Sequence, residues 1–173
     1  KAPRSLVSQA QQVISGAGLS GSLAFEQIRV YASYKSDSPD DRKLKSRLDS
    51  FLNKQAGFAV YTRERHARQK PFHCAKCRKD IAACPFCGQK ITPAIEKGVD
   101  TAICTDLFAL AWENAYDAAI LVTSDADLVP AVERLQEKNL KIINATRGGH
   151  GHELAKTCWA HFLLDGLIAD LKR

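Results

Sequence analysis

An α/β fold is what this sequence predicts: a three-layer α/β/α sandwich on a mainly parallel sheet, with one small insertion. Three observations predict it. Helical and strand-like apolar periodicities alternate along the chain, the order that a parallel sheet with crossover helices requires. The run Ala118-Ala-Ile-Leu-Val-Thr-Ser-Asp125-Ala-Asp127 is apolar at consecutive positions and then stops at two carboxylates. A strand buried on both faces that empties into a polar loop reads this way. Residues 63–91, finally, break the alternation with basic residues, cysteines and turn formers.

Taken in order, Leu6, Val7, Ala10, Val13 and Ile14 recur at helical spacing, and Gly16-Ala-Gly18 closes that first helix. Residues 25–34, with Ile28, Val30 and Tyr31, read as a strand. Asp37-Ser-Pro-Asp40 supplies capping residues for a helix with Leu44, Leu48, Phe51 and Leu52 on one face. Gly57 ends it, and Phe58-Ala-Val-Tyr61 is a second strand. Beyond the insertion, Asp100 to Tyr116 is a helix burying Ile103, Leu107, Leu110 and Ala111. Residues 118–123 form a strand. Asp127 to Lys138 is a helix whose first turn tolerates Pro130. Lys141-Ile-Ile-Asn-Ala145 is a strand, Gly148-Gly-His-Gly151 a loop, Glu153 to Trp159 a short helix, and Phe162-Leu-Leu164 an edge strand before a terminal helix.

A chain of 173 residues with 45% apolar content buries a sizeable core as one domain with an insertion. The α/β body is assigned to 1–62 and 92–173 and the insertion to 63–91. Twenty-five Lys and Arg against nineteen Asp and Glu give +6, and a pI near 9.1, a balance that suits a polyanionic partner. A basic surface serving only solubility is the plainer alternative. No run approaches the roughly 18 apolar residues that cross a bilayer, and no signal-type stretch follows Lys1-Ala-Pro-Arg4. The expectation is a soluble, cytoplasmic protein with no membrane partner, for which a homodimer is allowed.

Cys74-x-x-Cys77 and Cys84-x-x-Cys87 present four soft thiolates in two chelating turns, the donor set that tetrahedral zinc takes. Gly88 lets the second turn close tightly. Four thiolates leave no open coordination position, so the zinc is structural and holds a loop. His73 is a bystander, and Cys104 and Cys158, in apolar context, are core thiols. Around the cysteines lie Arg63, Arg65, His66, Arg68, Lys70, Lys76, Arg78, Lys79 and Lys90, interleaved with Phe72 and Phe86. Cations beside aromatic faces suit single-stranded nucleic acid. The plainer alternative is a solvated charged lobe.

Asp125 falls at a strand tip, Asp127 at the start of the next helix, and Asp100 at the start of the helix preceding that strand, where open α/β sheets hold ligands. Clustered carboxylates repel unless a cation sits among them, and oxygen-only ligation selects Mg²⁺ or Mn²⁺ over zinc. Such an ion can orient a phosphodiester and activate a water. Taken singly, each Asp is as well explained as a helix cap. Asp106, six residues beyond Asp100, lies well around the helix and is a lesser candidate. Lys97 is placed to contact a phosphate, with a surface lysine as the default. His150-Gly-His152 reads as a substrate-side turn rather than a metal pair.

These residues resemble the NYN domain of the PIN-like nuclease superfamily, in its LabA-like group. The resemblance rests on Glu96-Lys-Gly-Val-Asp-Thr-Ala-Ile-Cys-Thr-Asp106, on Ala115-Tyr-Asp-Ala-Ala-Ile-Leu-Val-Thr-Ser-Asp-Ala-Asp-Leu-Val-Pro130, and on Lys141-Ile-Ile. It implies a Rossmann-like α/β/α fold and metal-dependent RNA cleavage, with Asp100, Asp125 and Asp127 at its acidic positions and Asp106 as an accessory. The family pattern begins with a strand ending in an Asp and an Asn that complete the metal site, whereas this sequence starts on the first helix, so either that strand lies upstream of Lys1 or the site is short of a ligand. Zinc-binding insertions before the Lys-Gly-x-Asp motif resemble those of some relatives, and Ser124 stands where the pattern usually has Gly.

The combined expectation is a Mg²⁺- or Mn²⁺-dependent ribonuclease, an endonuclease acting on single-stranded RNA, whose zinc lobe binds the strand. The cationic contacts are Lys97, Arg63, Arg65, Arg68, Lys70, Lys76, Arg78 and Lys79. The rival is a non-catalytic RNA-binding or scaffold protein with an incomplete site. A phosphohydrolase of small phosphorylated molecules is a third reading, weakened because it leaves the zinc lobe idle.

Overall fold

The computed structural model describes residues 2–18, 20–67, 72–91, 94–95 and 98–168. Among them the elements follow in the order α1 (Ala2–Gly16), β1 (Ile28–Tyr34), α2 (Pro39–Ser50), β2 (Phe58–Glu64), β3 (His66–Ala67), β4 (Phe72–His73), β5 (Asp80–Ile81), β6 (Ala94–Ile95), α3 (Val99–Trp112), β7 (Ala118–Leu121), α4 (Val129–Gln136), β8 (Lys141–Thr146), α5 (His152–Thr157) and β9 (Ala160–Leu163). The chain divides into two compact units, one of Lys1–Ile28 with Asp100–Arg173, the other Arg29–Val99.

The first unit is built on a parallel sheet in the order β7-β8-β9, with Ile120 opposite Ile143 and Ala145 opposite Phe162. Side chains alternate across a strand, so β8 feeds two cores at once. Ile142, with Leu121, packs against Leu107 of α3, Val132 and Leu135 of α4, and Leu154 of α5. Ile143 and Ala145 face the other way, onto Ala10, Leu6, Val13 and Ile14 of α1. This is the expected α/β/α layering, with helices on both faces of a parallel sheet. Leu128, Leu135, Ile142, Ile143, Leu154 and Val132 are fully buried, each contributing about 1.5–3 kcal/mol of hydrophobic free energy. Gln11 ties α1 to the chain that follows it, donating to the Gly21 carbonyl at 2.8 Å and accepting from the Leu23 N–H at 2.7 Å.

Two boundaries differ from the expected ones for identifiable reasons. The 118–123 strand stops at Leu121, because the Asn144 side-chain amide captures the carbonyls of Leu121 (3.2 Å) and Thr123 (2.9 Å) as the chain turns away. The helix expected from Asp127 opens as a tight 3₁₀ turn at Ala126–Leu128, since the Asp125 carboxylate takes the Asp127 N–H at 2.9 Å, and becomes α-helical only from Val129. After β9 the described chain forms a 3₁₀ turn, Asp165–Leu167; the remainder of the expected terminal helix lies outside the described residues.

In the second unit β1 pairs with β2. Ser38 caps α2, its hydroxyl accepting from the Asp41 N–H at 3.3 Å, and Pro39 fits the first turn. Of the expected apolar face of α2, Leu44 and Phe51 are exposed, while Leu48 and Leu52 are half-buried. Asp41 accepts the Lys35 N–H at 2.7 Å and pairs with Arg65; the Lys35 amide, with the guanidinium, holds its carboxyl below the usual value. The cysteine segment is framed by the antiparallel pair β3-β6 and contains the hairpin β4-β5 and a bridge between Ala83 and Lys90.

Candidate functional site

The carboxyl ends of the three parallel strands carry the first unit's polar loops. From β7 the chain passes through Thr123, Ser124 and Asp125; from β8 through Thr146 and the Arg147–Gly151 loop; from β9 to Asp165. These loops touch. Gly151, at φ +68°, lies so close to the β7 end that a Cβ there would stand 2.8 Å from the Ser124 Cβ and 3.2 Å from the Thr146 Oγ1. Only glycine accommodates both that backbone and that approach. Asp165 accepts the Gly148 N–H at 2.7 Å and lies 4.0 Å from the Arg147 Nε.

Asp100 is an exposed residue in the first turn of α3. Asp125 is half-buried, its own N–H bonded to the Thr123 hydroxyl at 3.2 Å and its Oδ1 engaged by the Asp127 N–H. Asp127 is exposed in the 3₁₀ turn. Cys104, one helical turn beyond Asp100, registers the field of two of these groups. Burial pushes its thiol upward, and Asp100 and Asp125 push it further. That thiol stays protonated at neutral pH. Among the described residues no cation forms an ion pair with Asp100, Asp125 or Asp127. Asp106 sits half-buried on α3.

Among the described residues no three Cys, His, Asp or Glu side chains are gathered into a metal-holding group. The carboxylate donors nevertheless suit a hard divalent ion, because Mg²⁺ keeps most of its water and is commonly held by one or two carboxylates plus a substrate phosphate.

The two cysteine turns have matching backbones. The Cys74 N–H donates to the Lys79 carbonyl at 2.9 Å and the Arg78 N–H to the Cys74 carbonyl at 2.8 Å; the Cys84 N–H donates to the Gln89 carbonyl at 2.8 Å and the Gly88 N–H to the Cys84 carbonyl at 2.9 Å. The residue after each second cysteine is left-handed, Arg78 at φ 57° and Gly88 at φ 70°. In each turn the first sulfur accepts backbone N–H groups from the second cysteine and the residue before it, which lowers the Cys74 and Cys84 thiols. N–H donors aimed at sulfur stabilise thiolate, the form that binds metal. All six cysteines are free thiols; thiolates are the donors zinc takes, but among the described residues the four expected zinc ligands are not gathered into one metal-holding group.

The expected cationic contacts divide. Arg63, Lys76, Arg78 and Lys79 are exposed, with Arg63 set over the Tyr61 ring at 5.4 Å and bonded to its hydroxyl at 2.9 Å. Arg65 is engaged with Asp41. Lys97, Arg68 and Lys70 lie outside the described residues. Sequence reasoning missed Asn144, fully buried, whose amide holds the β7 end and whose Oδ1 has no hydrogen-bond partner among the described residues. A polar residue in the apolar strand 141–145 was the available signal.

A family model of the NYN domain matches residues 3–164. That domain is a member of a nuclease superfamily, the PIN-like nucleases. This chain belongs to the NYN family. A solved structure of a protein of unknown function from Vibrio parahaemolyticus is similar at 21% identity and a TM-score of 0.47, covering 80% of this chain and 68% of that one. No curated protein matches the chain. Among the described residues no helix is long and apolar enough to cross a membrane.

Proposed function

We propose that the chain is a Mg²⁺- or Mn²⁺-dependent ribonuclease that cleaves single-stranded RNA in the cytoplasm, with Asp100, Asp125 and Asp127 as metal ligands and Asp106 as an accessory. What supports this reading is the NYN-family match over residues 3–164, together with Asp125 and Asp127 just beyond the carboxyl end of the parallel strand β7 and Asp100 in the first turn of α3. When bound, the ion would polarise a phosphate oxygen and promote an attacking water. The chain's own part is positional. The Asp127 N–H fixes one oxygen of Asp125, the Asn144 amide holds the strand end behind it, and the neutral Cys104 thiol adds no competing charge. In the second unit Cys74, Cys77, Cys84 and Cys87 would hold a structural zinc in the 63–91 insertion, and its cations supply affinity for the strand.

A second reading, an RNA-binding or scaffold protein without hydrolytic activity, is favoured by the cap that Asp125 makes, which a purely structural Asp would also make. Cleavage of labelled single-stranded RNA with Mn²⁺, with and without EDTA, separates the two. Asn caps a helix as well as Asp does, so Asp125→Asn removes the charge and keeps the turn. Loss of at least about a hundredfold in rate with unchanged stability is expected, as for removal of a principal electrostatic group. Binding without hydrolysis, or cleavage undiminished by the variant or by EDTA, overturns the enzyme reading. One zinc per chain in the purified protein, lost in Cys84→Ser, is the expected metal content.

A further inference from the structure

The near-identity of the two cysteine turns isolates a difference between them. Lys76 and Phe86 occupy the same place, the third residue of each Cys-x-x-Cys, and each gives its backbone N–H to the first sulfur. Both side chains are therefore carried on a clamped backbone. Phe86 is 96% exposed. A phenylalanine so placed forgoes the burial that makes it favourable elsewhere, while its ring face is presented at little conformational cost, since the backbone beneath it is already fixed. Residues 74–91 carry Lys76, Arg78, Lys79 and Lys90 against Asp80, four cationic side chains and one acidic one, net +1 once a zinc ion with four thiolates, together −2, is counted. A segment of this length has a radius of gyration of about 7 Å, within the Debye length of about 8 Å at physiological salt. The ring thus lies inside the field of these cations. An apolar protein surface would gain from the ring but not from the charge. A single-stranded polyanion with unpaired bases gains from both.

We propose that Phe86 is a stacking platform for an unpaired nucleobase, with Lys76, Arg78, Lys79 and Lys90 engaging the flanking phosphates. The proposal rests on the nucleic-acid-binding part of the function above and not on hydrolysis. The test is binding of the full chain to a labelled oligouridylate across a salt series, with zinc content measured for every variant. Phe86→Ala weakens binding roughly tenfold, the order of a single base–aromatic stack, with the slope of log K against log salt unchanged. Phe86→Trp restores binding and adds a fluorescence change on titration, and Phe86→Leu, apolar but without a ring, stays as weak as the alanine variant. Arg78→Ala and Lys79→Ala instead flatten the salt slope, by about 0.7 for each phosphate no longer neutralised. Equal affinity of wild type and Phe86→Ala overturns the stacking role and leaves the ring to a protein contact; so does full binding by Phe86→Leu. No binding by the wild type at low salt overturns the nucleic-acid reading together with this one. Mn²⁺-dependent hydrolysis of bis-p-nitrophenyl phosphate by the wild type, lost in Asp125→Asn, reports on the carboxylates separately.

Discussion

Gly151→Ala probes the junction of the β7 and β8 loops directly. The new methyl meets the Ser124 Cβ at 2.8 Å, the Ser124 Cα at 2.9 Å and the Thr146 Oγ1 at 3.2 Å, and the backbone sits at φ +68°. Left-handed alanine costs about 1–2 kcal/mol, and forcing a methyl into an occupied space about 1–3 kcal/mol more. The sum is about 2–5 kcal/mol, which in a chain of this size lowers the melting temperature by on the order of 10 °C. Ser124→Gly in the Gly151→Ala background removes the contact at 2.8 Å but leaves the backbone contact and the dihedral strain. Partial recovery is therefore expected, with a coupling of about 1 kcal/mol in a double-mutant cycle. Thermal unfolding followed by circular dichroism reads all four proteins. A Gly151→Ala protein melting within about 1 °C of wild type, or two substitutions that simply add, refutes the close approach and the reasoning built on it.

At alkaline pH, burial pushes the Cys158 thiol from 9.0 up to about 11. The folded chain then holds a proton that the unfolded chain has released, so stability is full below about pH 9 and falls as the pH rises to about 11, by up to about 3 kcal/mol. Tyr116, pushed by burial to about 12, adds a further loss at higher pH. Denaturant titrations across this window should show a shallower decline in Cys158→Ala, and parallel declines would refute the assignment. Asn144→Asp places a carboxylate against two backbone carbonyls in a fully buried position. It should destabilise by about 3 kcal/mol or more at neutral pH and recover part of that loss as acid protonates it. Wild-type stability at neutral pH would contradict the donor role of the amide.

Residues whose chemistry is local were legible in the sequence. Period and run length placed every helix and strand of the first unit, because Ile142 and Ile143 can be consecutive and apolar only if the sheet is covered on both faces. The cysteine spacing pointed to two chelating turns, and each turn closes with its own hydrogen bonds. What escaped was set by contacts distant in sequence. Nothing near Asn144 says that its amide will cap β7, twenty-three residues earlier. Cys104 reads as a core thiol, and packs as one, but the nearness of Asp125 depends on how α3 lies beside β7. Arg65 reads as one basic residue among many, and its engagement with Asp41 follows from the position of α2. The exposure of Leu44 and Phe51 could not be drawn from periodicity alone, which marks an apolar face without saying what covers it.

The handedness of one backbone angle gives the two cysteine turns unequal standing in an unfolded chain. Gly88 reaches its positive φ freely, whereas Arg78 pays about 1 kcal/mol for the same angle. By this contribution alone the 84–89 turn is closed several times more often than the 74–79 turn in the unfolded chain. A zinc ion of the kind proposed, meeting the complete unfolded chain, would be received first by the later pair, and the earlier pair would fold onto it.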